Sequence, residues 1–156
     1  MTTANINKLI SLSKEKNQLI NKMYGFTKAQ KKEIEKEDIN NLNTLLDEKD
    51  KLIKTINQID IEFLKIFSQI KKEEKVENIY DLDVNKYPNL KDLKDIVMEI
   101  SSTLMAISLL DEENNKDIKK RIEKIKLELK RVKEGQRAYK KYNVPITESI
   151  LIDEKK

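Results

Sequence analysis

The chain has 156 residues, of which 38% are charged and 5% aromatic, with a net charge of +4, two Gly, two Pro, no Cys and no His. This length fits one domain with a modest core, and the composition suits long helices better than turns or strands. The missing Cys and His exclude disulfides, Cys/His zinc sites and Cys-His or Ser-His nucleophiles. The sequence therefore predicts neither a cofactor nor an enzyme.

The first predicted element is a helix over about residues 3–34, because apolar residues recur there at three- and four-residue steps. Thr2 or Thr3 is available as its N-cap. Gly25 lies inside the segment, and Thr27 with Gln30 resembles a capping box, so the pattern allows either a continuous helix or a break. The apolar stripe comprises Ile6, Leu9, Ile10, Leu19, Ile20, Met23 and Phe26.

The second predicted helix covers about residues 38–74 and has apolar positions alternating by threes and fours, as in a coiled coil. Asp38 can cap it, so we expect a tight turn near residues 33–37 to join the first two helices into an antiparallel hairpin. The apolar positions are Leu42, Leu45, Leu46, Leu52, Ile53, Ile56, Ile59, Phe63, Ile66, Phe67 and Ile70.

The helical period fails between residues 75 and 88, which indicates a loop. Asp81, Asp83 and Asn85 alternate there as in an EF-hand. However, Lys86 stands where that loop needs Gly, and the closing Glu is absent. We expect a solvated connection and no metal.

The third predicted helix covers residues 89–142 and begins where Asn89 precedes Asp92. At 1.5 Å per residue it spans about 75–80 Å, whereas the first helix spans about 45 Å, so its distal part outruns its partners. Asn143 to Pro145 stop it, leaving a tail over residues 143–156. The prediction is a single all-α domain over residues 1–156, an antiparallel three-helix bundle or coiled coil with a long C-terminal helix and a short irregular tail.

The distal part of this helix is strongly basic and carries an apolar seam. From Lys116 to Lys141, twelve Lys/Arg stand against four Asp/Glu, a local excess of +8. The seam is either buried core or a surface for another protein's amphipathic helix. Asn114 either fixes the register of the helices or marks where intramolecular packing ends, and Asn115 is expected to face outward. The seam residues are Ile118, Ile122, Ile125, Leu129 and Val132, followed by Tyr139 and Tyr142.

Two other classes of function fit parts of the pattern. A basic helix allows nucleic-acid binding, but its charges are spread around the helix and interrupted by Glu123, Glu128 and Glu134, so we expect no nucleic-acid partner. A structural coiled-coil protein would use the same seam for self-association through the C-terminal helix. No signal peptide or membrane-spanning run is recognisable, so a cytoplasmic location without membrane insertion is expected.

Three stretches together resemble the FlgN-type flagellar export chaperones, which are small cytosolic helical proteins. The FliT-type chaperone of the filament cap, which shares their size, helicity and mobile C-terminal segment, is the nearest alternative. The stretches are Ile34–Leu42 with Leu45–Lys49, then Leu110–Asn114, and finally Gly135–Tyr142 with Ile152–Lys155.

The resemblance implies a chaperone that holds hook-filament junction proteins unassembled and helps to dock them on the flagellar type III export gate. In that family the C-terminal region is the usual substrate-binding part. By position, the resemblance assigns the client to Ile118, Ile122, Ile125, Leu129 and Val132, and the gate or the client to Tyr139 or Tyr142.

Overall fold

The fold consists of three long helices joined by two connections. A computed structural model describes residues 1–154, with side chains described for residues 1–142. Helix α1 is Thr2–Lys36, α2 is Ile39–Glu74 and α3 is Leu90–Glu154, and a single 3₁₀ turn, Ile79–Asp81, lies between α2 and α3. No strand occurs among these described residues, so the predicted all-α class is confirmed.

Helix α1 is continuous, and its start differs from the prediction. Its N-cap is Met1, which makes no side-chain capping bond. The expected threonine cap was therefore wrong. Thr2 lies within the helix instead, and its single hydroxyl hydrogen is shared between Glu73 Oε2 at 2.9 Å and Glu74 Oε1 at 3.0 Å. Thr27 forms no capping box because its hydroxyl donates to the Met23 carbonyl at 2.8 Å, and the helix runs through Gly25.

The turn between α1 and α2 lies where it was predicted. Glu37 takes the left-handed conformation with φ 57°. The Asp38 N–H donates back to the Glu33 carbonyl at 3.0 Å, so this carbonyl in the last turn of α1 has a hydrogen-bond partner. The Asp38 carboxylate then accepts the Asn41 N–H at 3.1 Å, as expected of an N-cap. The chain therefore reverses within two residues and the helices form a hairpin.

Two apolar clusters hold the three helices together. Burying one Ile or Leu side chain completely stabilises the fold by about 1.5–3 kcal/mol, so these clusters are the main source of stability. The first comprises Ile6, Leu9, Ile70, Leu82, Tyr87, Leu90 and Leu93. The second comprises Ile20, Met23, Ile56, Ile100 and Ile107.

The connection between α2 and α3 is solvated at Asp81, Asp83 and Asn85, as predicted, but other residues of it are packed against the helices. Leu82 and Tyr87 are buried in the first cluster, and Val76 and Ile79 pack against it. The Tyr87 hydroxyl donates to the Glu74 carboxylate. Hydrogen bonds from the hydroxyls of Tyr87 and Thr2 hold the pKa of the Glu74 carboxyl below its usual value.

The chain divides into two compact units, Met1–Asn114 and Asn115–Lys156. The first unit contains α1, α2 and the start of α3, and the second contains the rest of α3. The helix bounds extend to Glu154, beyond the predicted end at Tyr142, since a proline removes one helical hydrogen bond without necessarily ending a helix. The side chains of the predicted tail lie outside the described residues.

Within the described residues, no helix carries an apolar run long enough to cross a lipid bilayer.

Candidate functional site

The predicted seam of the second unit is exposed from Ile122 onward. Ile118 is half-buried, and the next four seam residues are about half exposed, at 46% for Ile122, 48% for Ile125 and 55% each for Leu129 and Val132. In the described part of the chain, these side chains form a surface and not a buried core.

The seam follows heptad spacing, with positions lettered a to g. Counting Ile122 as a, the a and d positions from Ile118 to Val132 are all apolar, and Gln136 occupies the next a position. Tyr139 falls on the following d position and is 64% exposed. Tyr142 falls on a g position at the edge and is 83% exposed. We call the six a and d residues, Ile118, Ile122, Ile125, Leu129, Val132 and Tyr139, the apolar row.

Asn114 marks the boundary at which the buried part of α3 ends. Leu93, Ile100, Ile107 and Asn114 recur at seven-residue intervals, and all four are buried. The Asn114 amide donates to the Thr27 carbonyl of α1 at 3.2 Å, whereas Asn115 is exposed, as predicted. Asn114 is therefore the last residue of the packed unit and is bonded there to α1.

A buried lysine that the sequence reasoning missed lies close to this boundary. Lys49 of α2 is 8% exposed, and its Nζ lies 2.8 Å from Gln30 Oε1 of α1 and 2.9 Å from Asp111 Oδ1 of α3. It thus connects all three helices. The sequence could have predicted that this lysine is buried, because it interrupts an otherwise apolar seven-residue series. The series is Leu42, Lys49, Ile56, Phe63 and Ile70.

A comparison with known families covers both units. The family model described as FlgN protein matches residues 1–145. The chain belongs to the FlgN family. No curated protein and no solved structure shows significant similarity to it.

Membership identifies this FlgN-family chain as a flagellar export chaperone that binds flagellar proteins. The match favours this family over the FliT-type alternative and extends through every residue of the apolar row.

Proposed function

We propose that this FlgN-family chaperone binds hook-filament junction proteins through the apolar row, keeps them unassembled in the cytoplasm and delivers them to the type III export gate. The exposure of the row carries the proposal. Ile122, Ile125, Leu129 and Val132 are 46–55% exposed, on a helix whose earlier seven-residue apolar series, Leu93, Ile100 and Ile107, is buried. An amphipathic client helix would cover such a stripe with its own apolar face.

Covering the row supplies part of the free energy of a reversible complex. Each half-exposed Ile or Leu that a client buries contributes about 1 kcal/mol, before the cost of ordering the complex. Several such contacts hold a client without ATP, and competition at the export gate would release it. Tyr139 and Tyr142 are exposed aromatics with a polar tip, which suits contacts with the gate or the client.

The test replaces Ile122, Ile125 and Leu129 together by Ser. Because these side chains are already exposed, we expect helicity by circular dichroism to stay nearly unchanged. Co-purification of a hook-filament junction protein should be lost, since the client loses its apolar contact surface.

The control variant replaces Met98, Met105 and Leu109 by Ser. These side chains of the first unit are 62%, 69% and 59% exposed, so the control removes the same number of exposed apolar groups elsewhere on α3. It should capture the junction protein normally. Normal capture by the Ile122, Ile125 and Leu129 variant would refute the proposed site.

A further inference from the structure

One edge of the apolar row is lined by a regular series of lysines. Every e position beside the row is lysine: Lys119, Lys126, Lys133 and Lys140. Lys119, Lys126 and Lys133 are exposed, and none of these three makes an ion pair or hydrogen bond within the described part of the chain. We call these three residues the lysine edge.

The opposite edge of the row has a different character. Its g positions are Arg121, Glu128, Gly135 and Tyr142. Arg121 forms an ion pair with Asp117, with its Nε 3.0 Å from Oδ1. One edge is thus uniformly cationic and the other is mixed, so a helix lying on the row meets a fixed pattern of charge.

We propose that the lysine edge selects client helices that carry Asp or Glu along one edge of their own apolar stripe. The inference rests on the proposed function of the row. When two helices pair through a and d positions, an e residue faces a g residue in a parallel pair and an e residue in an antiparallel pair. A client carboxylate at that position meets one lysine in each heptad, whereas a client lysine is repelled.

The same geometry argues against a second copy of the chain as the occupant. An antiparallel pair of rows places lysine edge against lysine edge. A parallel pair places Lys126 opposite Arg121 of the second copy, and among the g positions Glu128 alone supplies a carboxylate. Like charges across a helix pair are unfavourable, so the edge disfavours self-pairing and keeps the row available for an acidic client.

The test uses two synthetic amphipathic peptides, each about four heptads long, which share one Ile/Leu stripe and carry either Glu or Lys at all e and g positions. Isothermal titration calorimetry against the full chain measures both affinities. Since each exposed ion pair contributes modestly, we expect the Glu peptide to bind about tenfold more tightly at low salt. The difference should shrink as salt screens the charges.

Charge reversal locates the effect on the helix. Changing Lys119, Lys126 and Lys133 to Glu should reverse the preference, so that the Lys peptide binds more tightly. The matched control changes Lys120, Lys124 and Arg131 to Glu, which alters net charge equally at exposed f and c positions away from the row. This control should still prefer the Glu peptide.

Three results would overturn the lysine edge: equal affinity for the two peptides, binding of neither, or the same change in both charge variants. The last would show that only net charge matters. The proposed function has a separate readout, because capture of a junction protein depends on Ile122, Ile125 and Leu129. If that capture is lost on their replacement while the peptides are not distinguished, the client site stands and the lysine edge fails.

Discussion

Two buried polar residues link the helices of the first unit to one another. Lys49 and Asn114 each interrupt an apolar seven-residue series. Lys49 bonds to Gln30 of α1 and to Asp111 of α3, whereas Asn114 donates to the Thr27 carbonyl of α1. A polar group in such a seam is satisfied in one register only, because any shift leaves it buried without a partner. Both residues therefore favour a single alignment of the helices.

Replacing Lys49 by Met is expected to lower the free energy of unfolding by about 1–2 kcal/mol, because volume is retained while the buried Gln30 oxygen loses its donor. Urea unfolding followed by circular dichroism measures the change. The control Lys51→Met breaks an exposed 3.3 Å pair with Glu48 and should change stability by less than about 0.5 kcal/mol. Equal changes in the free energy of unfolding for the two variants would show that the Lys49 contacts do not stabilise the fold.

At the scale of the helices, periodicity predicted most of the fold because each long amphipathic helix buries one apolar stripe. The buried residues of α1 also include Ser13 and Thr27, which are polar and so could not be predicted as buried from an apolar pattern. The packing of Leu82 and Tyr87 was not predictable, since a loop has no period that separates buried from exposed residues. Contacts of that kind depend on the tertiary arrangement.

The end of the packed part of α3 was partly predictable, because a helix longer than its partners must run out of contacts. The structure also shows that the apolar residues of α3 move to a different heptad position after Asn114. Continuing the buried series beyond Asn114 leads to Arg121, Glu128 and Gly135, whereas the apolar positions shift to the series beginning with Ile118. The sequence pattern did not show whether the distal seam is buried core or exposed surface. The exposure of Ile125 and Leu129 identifies it as surface.

The two glycines provide matched probes of the helices in each unit. A methyl group added at Gly25 or Gly135 meets nothing within 4 Å, so both alanine variants fit. Gly25→Ala should raise the free energy of unfolding by about 0.5–1 kcal/mol, because alanine loses less backbone freedom in a helix. Gly135→Ala lies outside the packed unit and should leave the urea midpoint unchanged while increasing helicity. Equal shifts of the midpoint would contradict this separation of the units.

Over the whole molecule, the apolar core and the proposed client site lie in different units, and the two units carry opposite net charge. Residues 1–114 carry eighteen Lys/Arg against twenty-one Asp/Glu, and residues 115–156 carry fourteen against seven. All buried hydrophobic residues among the described side chains lie between Ile6 and Ile107. The apolar row can therefore remain exposed for a client without removing side chains from the core.

This separation predicts that a chain ending at Lys116 folds almost as stably as the full chain but captures no junction protein. It keeps both apolar clusters and the Asn114 bond to α1. Its free energy of unfolding should lie within about 1 kcal/mol of the full-length value, measured by urea titration. A chain ending at Ala106 is the control, since it loses buried Ile107 and the Asp111 contact with Lys49, and it should be markedly less stable. If the chain ending at Lys116 were as unstable as this control, the second unit would be part of the core, and the exposed row could not serve clients independently.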